Sequence, residues 1–203
     1  MIAHVIERVQ AIRGVDEVVL ATSESERDSI VAVEARARGV KVFRGSEWDV
    51  LERIAKAAMR YEADVVMRIT GDCPLLCPFI AEEVLELYQR LEGVAYIWND
   101  VTQSGWPDGT DVEVFSADML YRADGAADEK TDREHVTPHI RRTYSVFTVK
   151  APHDHRQWKL SVDTPSDFEF ITDVFARLAP ATDFSFANTA RAVQAVKDAQ
   201  VRQ

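Results

Sequence analysis

The chain has 203 residues, of which 46% are hydrophobic and 29% are charged. This size and composition suit a single domain with a substantial core and argue against extended disorder. A formal net charge of −10, with no lysine–arginine block, disfavours nucleic acid and anionic membranes as partners. No apolar run approaches the ~20 residues that span a bilayer, and no signal peptide is visible, so we expect a cytoplasmic protein.

Helices and strands are predicted to alternate over the first half of the chain. Apolar residues recur at helical spacing over 2–13, and Gly14 ends this helix. The strands are nearly continuous apolar runs, which is typical of a mainly parallel sheet covered by helices on both faces. The next predicted elements are strands at 17–21, 40–45 and 64–70 and helices at 26–39, 47–63 and 78–91.

The alternation stops after residue 93, which predicts a small mixed α+β insertion. We interpret 1–203 as one domain in which 94–150 forms a subregion for substrate or dimer contacts. Thr164 as a cap and Pro165 at the first helical position predict a helix over 164–178. The other predicted elements are strands at 94–100, 112–116, 144–151 and 158–163 and helices at 118–127, 131–142 and 188–201.

The chain opens directly in a helix, with no cap residue and no strand before it. In open α/β sheets the first element is usually a strand, and the loop after it commonly holds nucleotide phosphates. We therefore expect a short N-terminus. We also expect an unpaired strand edge beside "VVLATS", residues 18–23.

Two aspartates follow predicted strands at equivalent places. Asp72 comes after the strand at 64–70, Asp163 ends the strand at 158–163, and each precedes a helix with a proline near its start. Ligands bind at the carboxyl ends of strands in such sheets, and Mg²⁺ prefers one or two carboxylates plus waters and phosphates. The pair therefore predicts a shared Mg²⁺ site. Taken singly, each aspartate is better explained as a turn or cap residue, and only the pair makes the metal site an equal alternative.

The turn "PDG" at 107–109 is followed by an alternating segment. Period two places Asp111 and Glu113 on one face of the next strand, where they either contact a substrate or form an ordinary solvated face. Trp98 and Trp106 lie in the same region. Exposed, they would suit a homodimer interface or a substrate wall, and burial in the core is the alternative.

A histidine-containing helix is predicted over 131–142. Thr131 and Glu134 have the spacing of a capping box. His135 and His139 have the i, i+4 spacing of zinc ligands, but Pro138 between them and the lack of a third ligand disfavour zinc. A structural histidine or a polar substrate contact is the better interpretation.

Together these stretches resemble the cytidylyltransferase family that makes CMP-activated acidic sugars, particularly the branch named for spore-coat polysaccharide biosynthesis. The resemblance follows the family's order over 14–170. It rests on "GVDEVVLATS", "VFRGSEWDVLERI", "ADVVMRITGDCPLL", "WPDGTDVEVFS", "DREHVTPHIR" and "LSVDTPSDFE".

The resemblance implies a Rossmann-like α/β fold and a reaction in which CTP and a small acidic sugar give a CMP-sugar and pyrophosphate with Mg²⁺. It implies that Asp72 and Asp163 are the catalytic, metal-binding pair. The implied nucleotide-binding residues are Thr22, Ser23, Arg68, Thr70 and Gly71. The implied sugar-binding residues are Asp108, Gly109, Asp111, Glu113, Arg133, Glu134 and His135.

The family's first strand and its basic loop, which wraps the triphosphate, have no counterpart in this sequence. We therefore expect the chain as given to be a weak enzyme. Two alternatives stay open: a nucleotidyltransferase for a sugar 1-phosphate on the same fold, and a protein that binds sugar or nucleotide without catalysis. A dehydrogenase is disfavoured because no G-x-G-x-x-G is present.

Overall fold

The computed structural model describes residues 1–92 and 95–201. Residue 94 lies outside the described residues. It is the first residue of the strand predicted at 94–100 and of the 94–150 subregion. The helices are α1 (Ile2–Gln10), α2 (Ser29–Ala37), α3 (Val50–Arg60), α4 (Pro78–Arg90), α5 (Ala117–Ala126), α6 (Lys130–His135), α7 (Pro138–Thr143), α8 (Pro165–Phe175) and α9 (Phe186–Val201). The strands are β1 (Val19–Ser23), β2 (Lys41–Gly45), β3 (Val65–Arg68), β4 (Tyr96–Trp98), β5 (Glu113–Ser116) and β6 (Val146–Thr148).

The strands of the described residues form two sheets. β1 and β2 form a parallel pair, and the other four strands form a sheet in the order β3-β5-β4-β6. β4 and β6 are parallel, whereas β5 runs antiparallel to both β3 and β4. The α/β class predicted from the sequence is confirmed, and the antiparallel β5 lies within 94–150, where the sequence predicted a mixed α+β insertion.

The expected unpaired strand edge is present. Within 1–92 and 95–201, β1 pairs only with β2, and β3 pairs only with β5. The apolar residues of these strands are poorly covered, since Val65 of β3 is 42% exposed. By contrast, Ile97 of β4 and Phe115 of β5 are completely buried.

Two helices bridge the sheets from opposite faces. On one face, Ile6 of α1 packs in a cluster with Leu20 of β1, while Ile12, just after α1, packs in a cluster with Met67 of β3. α3 contacts β1 and β2 and shares the largest core cluster with Val66 of β3. Consecutive strand residues point to opposite faces, so the α1 region and α3 cover opposite faces of both sheets.

The second half of the chain differs from its prediction in three details. The helix predicted over 131–142 is two helices, α6 and α7, because the backbone turns sharply at Val136 (φ 73°). The Thr131–Glu134 capping box is wrong: α6 begins at Lys130 with Glu129 as its N-cap and has no side-chain cap bond. The segment 158–163 is not a strand, since its pairing is limited to a single bridge between Asp108 and Lys159.

The helix predicted after Asp163 is confirmed at its start. Thr164 caps α8 in a reciprocal capping box with Asp167, and Pro165 occupies the first helical position. Among the described residues, no helix is both long and apolar enough to cross a membrane.

Candidate active site

The two predicted metal-binding aspartates lie on neighbouring backbone segments. β3 ends at Arg68, and the chain continues to Asp72, whose carbonyl oxygen accepts a hydrogen bond from the Val162 N–H at 3.0 Å. Asp163 is the next residue after Val162. The hydrogen bond therefore brings Asp72 and Asp163 together beyond the carboxyl end of β3.

The two carboxylates differ in how they are held. Asp72 is half-buried, and its carboxylate has one hydrogen-bond contact among the described residues, a weak one from the Cys73 thiol at 3.6 Å. Asp163 is more exposed and forms an ion pair with Lys159 at 2.8 Å. Hydrogen bonds to Asp163 and Asp167 raise the pKa of Lys159, so this cation stays charged beside the pair.

Asp72 and Asp163 are the residues of the site that could hold a magnesium ion. Both offer carboxylate oxygens, the ligand type that Mg²⁺ prefers, and Asp72 has no strong protein donor competing for its oxygens within 1–92 and 95–201. A larger all-protein cage is absent from that part of the chain, where no group of three or more His, Cys, Asp or Glu is arranged to hold a metal. Two carboxylates completed by phosphates and waters match the usual Mg²⁺ site.

The Pro-Asp-Gly turn packs against the segment that carries Asp163. Asp108 accepts a hydrogen bond from the Ser161 hydroxyl at 2.6 Å, and the same hydroxyl lies 3.4 Å from Asp163. Gly109 has φ 90°, and a Cβ there would lie 2.3 Å from the Leu160 carbonyl carbon. Glycine is therefore required at 109 by close backbone approach, independently of any sugar contact.

Asp111 follows this turn in a partly buried position. It accepts a hydrogen bond from the Gly109 N–H at 2.9 Å. Burial, aided by the nearby negative charge of Asp108, raises the pKa of Asp111 to about 6. A carboxylate that titrates there accepts and releases protons close to neutral pH.

Glu113 is not on a solvated face, since it is 7% exposed. It lies between Arg68 of β3 and Trp98 of β4 in the sheet register, and Arg68 Nη1 donates to it at 2.5 Å. The guanidinium of Arg141 lies over the Trp98 ring at 4.6 Å. Arg68 therefore contacts the Glu113 carboxylate directly, and Arg141 lies over the ring of Trp98, the neighbour of Glu113 in the sheet.

The other predicted nucleotide-binding residues end β1 and β3. Thr22 and Ser23 close β1, and the Ser23 hydroxyl is used locally, donating to Asp28 at 2.5 Å. Thr70 follows β3, and its hydroxyl lies 3.1 Å from the Cys73 sulfur. Gly71 is exposed and close to the first turn of α1, where a Cβ would lie 3.5 Å from Ile2.

The predicted sugar-binding residues of α6 divide into two groups. Arg133 ties helices together, because its guanidinium donates to the Asp49 carboxylate before α3 and to Asp124 in α5. Glu134 and His135 are exposed at the end of the same helix. Of the three predicted residues of α6, Glu134 and His135 are exposed as expected for a substrate contact, whereas Arg133 is partly buried.

Residues that the sequence reasoning missed complete the site. Tyr96 and Thr137 donate to Glu113, and Lys159 and Ser161 contact the predicted acidic residues. Lys159 has one local signal, its position four residues before Asp163. Ser161 lies two residues before Asp163, but its shorter contact is with the distant Asp108. Tyr96 and Thr137 have no local signal because Glu113 lies 17 and 24 positions away from them.

Comparisons with known proteins identify the family of the chain. A family model described as cytidylyltransferase matches residues 1–195. The spore coat polysaccharide biosynthesis protein SpsF of Bacillus subtilis is 32% identical over 177 residues, which cover 84% of this chain and 71% of that protein. A 3-deoxy-manno-octulosonate cytidylyltransferase of Anaeromyxobacter dehalogenans is 37% identical over 87 residues, 42% of this chain and 35% of its own.

A solved structure extends the likeness to the whole fold. The structure of a cytidylyltransferase from Leptospira borgpetersenii superposes with a TM-score of 0.88 at 25% identity, covering 98% of this chain and 84% of that chain. The family resemblance inferred from the sequence, the Rossmann-like α/β class and the interpretation as a nucleotidyltransferase are thereby confirmed. The chain belongs to the cytidylyltransferase family.

Proposed function

We propose that the protein transfers CMP from CTP to a small acidic sugar and releases pyrophosphate, in the synthesis of a surface polysaccharide. The observation that carries the proposal is the juxtaposition of Asp72 and Asp163 beyond β3, where Val162 donates to the Asp72 carbonyl at 3.0 Å. The names of two relatives, a spore-coat polysaccharide protein and a 3-deoxy-manno-octulosonate cytidylyltransferase, support the choice of product and substrate class.

The reaction would be an in-line displacement at the α-phosphorus. A sugar hydroxyl oxygen forms a bond to that phosphorus while the bond to the bridging oxygen breaks, and pyrophosphate leaves. Such transfers depend mainly on positioning and charge stabilisation. Asp72 and Asp163 would hold Mg²⁺, which when bound offsets the negative charge of the phosphates.

Besides Lys159, which pairs with Asp163, two arginines support an anionic substrate. The carboxylates of Asp72 and Asp163 repel a sugar acid, so positive charge is needed nearby. Arg68 is held at the end of β3, and Arg141, stacked on Trp98, makes no ion pair within the described residues. These guanidinium groups suit the triphosphate and the sugar carboxylate.

A homodimer, a cytoplasmic location and a substrate subregion at 94–150 stay predictions. β6 offers one surface for a dimer, because within the described residues it pairs only with β4, and Val146 and Phe147 are 39% and 44% exposed. Trp106 does not contribute such a surface, since it is only 5% exposed.

Nucleotide preference tests the proposed function. We expect CTP with Mg²⁺ to raise the melting temperature by several degrees at saturating concentration, because a ligand at about 100 times its Kd adds about 2.7 kcal/mol of stability. UTP and ATP at the same concentration serve as controls and should give smaller shifts. Equal shifts with the three nucleotides, or no shift with CTP, would contradict the assignment.

A further inference from the structure

One buried carboxylate lies between the nucleotide side and the sugar side of the site. Glu113 is 7% exposed, and its Oε2 accepts from Arg68 Nη1 at 2.5 Å. Its Oε1 accepts from the Tyr96 hydroxyl at 2.5 Å and from the Thr137 hydroxyl at 2.7 Å. Protein donors thus fill three of the roughly four acceptor positions of the carboxylate, which leaves little for a sugar hydroxyl.

The ion pair fixes the direction of the Arg68 guanidinium. This group is planar and carries its donors in a rigid fork, so a bond at Nη1 sets where the other N–H groups point. Within the described residues those groups donate to no side chain or carbonyl, and the side chain is 19% exposed. Arg68 therefore offers a pre-oriented cation at the end of β3.

The Thr137 hydroxyl joins Glu113 to a strained turn between α6 and α7. Val136 has φ 73° and ψ −56°, and the Thr137 N–H donates to the His135 carbonyl at 2.8 Å. This is a γ-turn of the rare, strained kind, and it is most unusual at a β-branched residue. Such outliers persist only where surrounding contacts impose them.

Contacts on both sides of the turn impose its shape. The Val136 side chain is completely buried in the core cluster that contains Phe115. Thr137, 2% exposed, is anchored to Glu113. The residues just before the turn, Glu134 and His135, are exposed, so the strained backbone directs the predicted sugar-side residues outward from a fixed base.

We propose that Glu113 is a positioning residue that holds Arg68 and the α6–α7 turn in a fixed relation. The two substrate sides then share one buried anchor, and Glu113 acts through these neighbours rather than as the sugar ligand that the sequence suggested. The assignment of the two sides rests on the proposed function. Neutralising Glu113 should disturb both Arg68 and the turn, because one carboxylate bonds to both.

NMR spectra of the backbone amides and of the arginine Nε–H groups test this coupling without any ligand. We expect Arg68→Gln to shift the amide signals of His135 and Thr137, and Thr137→Val to shift the Arg68 Nε–H signal. Glu113→Gln should do both. If Glu113→Gln fails to fold, the other two variants still decide. Unchanged turn signals in folded Arg68→Gln would overturn the proposal.

Glu82 provides a matched control. Glu82 lies on α4 and is also 7% exposed. Its carboxylate accepts a hydrogen bond from Arg13 Nε at 2.9 Å. Glu82→Gln removes an ion pair made by an equally buried carboxylate elsewhere in the chain, here with an exposed arginine. It should leave the Arg68 and His135 signals in place. Movement of both signals in this variant would mean that any lost ion pair disturbs the site, which would also overturn the proposal.

CTP titration adds a functional readout. We expect Glu113→Gln to weaken CTP binding roughly tenfold or more, as for loss of a charged hydrogen bond. Combined with Arg68→Gln it should weaken binding no further than Arg68→Gln alone, whereas independent structural effects would add. Additive losses would contradict the positioning role. Failure of the unchanged protein to bind CTP would count against the proposed function instead, and the NMR coupling would still stand or fall separately.

Discussion

In a protein extended at its N-terminus by a strand and a basic loop, Asp72→Asn is expected to abolish CTP-dependent pyrophosphate release while leaving the fold intact. Asparagine has the size of aspartate and keeps one carbonyl oxygen, but it removes the negative charge that would hold Mg²⁺ beside Asp163. Loss of several kcal/mol of transition-state stabilisation corresponds to a rate decrease of about 10²-fold or more. The measurement is pyrophosphate release with CTP and a panel of sugar acids that includes 3-deoxy-manno-octulosonate.

A second aspartate separates a metal role from a turn role. Asp183 accepts the Ser185 N–H at 2.9 Å, as a turn aspartate does. Asp183→Asn should therefore change stability slightly and leave the rate unchanged. If Asp72→Asn behaved in the same way, with full activity and a small shift in melting temperature, Asp72 would be an ordinary turn residue.

An added N-terminal strand and basic loop are expected to raise CTP-dependent pyrophosphate release by orders of magnitude. β1 and β3 each have an unpaired edge within the described residues, α1 and α3 already cover both sheets, and Val65 remains 42% exposed. A strand between the sheets would complete them, and its loop would add charged hydrogen bonds to the triphosphate, each worth about 1.5–3 kcal/mol. About 1.4 kcal/mol corresponds to a tenfold change in rate.

Two extended proteins distinguish the effect of the strand from that of the loop. One carries the strand with a loop of arginine and lysine, and the other carries the same strand with serine at the cationic positions. We expect both to gain stability and only the first to gain a large increase in rate. Full turnover by residues 1–203 without any extension would contradict this view of how the triphosphate is held.

The features of the fold that depend only on neighbouring residues were the most predictable from sequence. Thr164, Pro165 and Asp167 predicted the start of α8, because a capping box and a first-turn proline involve neighbours only. The apolar runs of β1, β2 and β3 predicted strands for the same reason. The sequence also predicted an unpaired strand edge, and β1 and β2 indeed form a sheet separate from that of β3.

Tertiary contacts decided where the sequence prediction failed. The helix predicted over 131–142 breaks at Val136 because Thr137 bonds to Glu113, which is 24 positions away. The segment 158–163 makes single hydrogen bonds to the backbone at Asp72 and Asp108 rather than a ladder with one partner strand. Neither distant partner is visible in a local pattern.

The same limit applies to the site. The spacing of Asp72 and Asp163 relative to strands suggested their approach, and the family resemblance supported it. The burial of Glu113 was not predictable, because Arg68 lies 45 positions earlier in the chain. Period-two alternation identified the face of the strand but gave no information about what covers that face.

The number of phosphorus atoms in the product is the most direct test of whether the protein transfers CMP to an acidic sugar. The protein and its strand-extended form are each incubated with CTP and Mg²⁺. One set of reactions contains a panel of sugar acids and the other a panel of sugar 1-phosphates. The molecular mass of the nucleotide-sugar product is then measured by mass spectrometry. We expect a CMP-sugar, which contains a single phosphorus, and we expect it only when a sugar acid is present. A CDP-sugar formed from a sugar 1-phosphate would contradict this expectation.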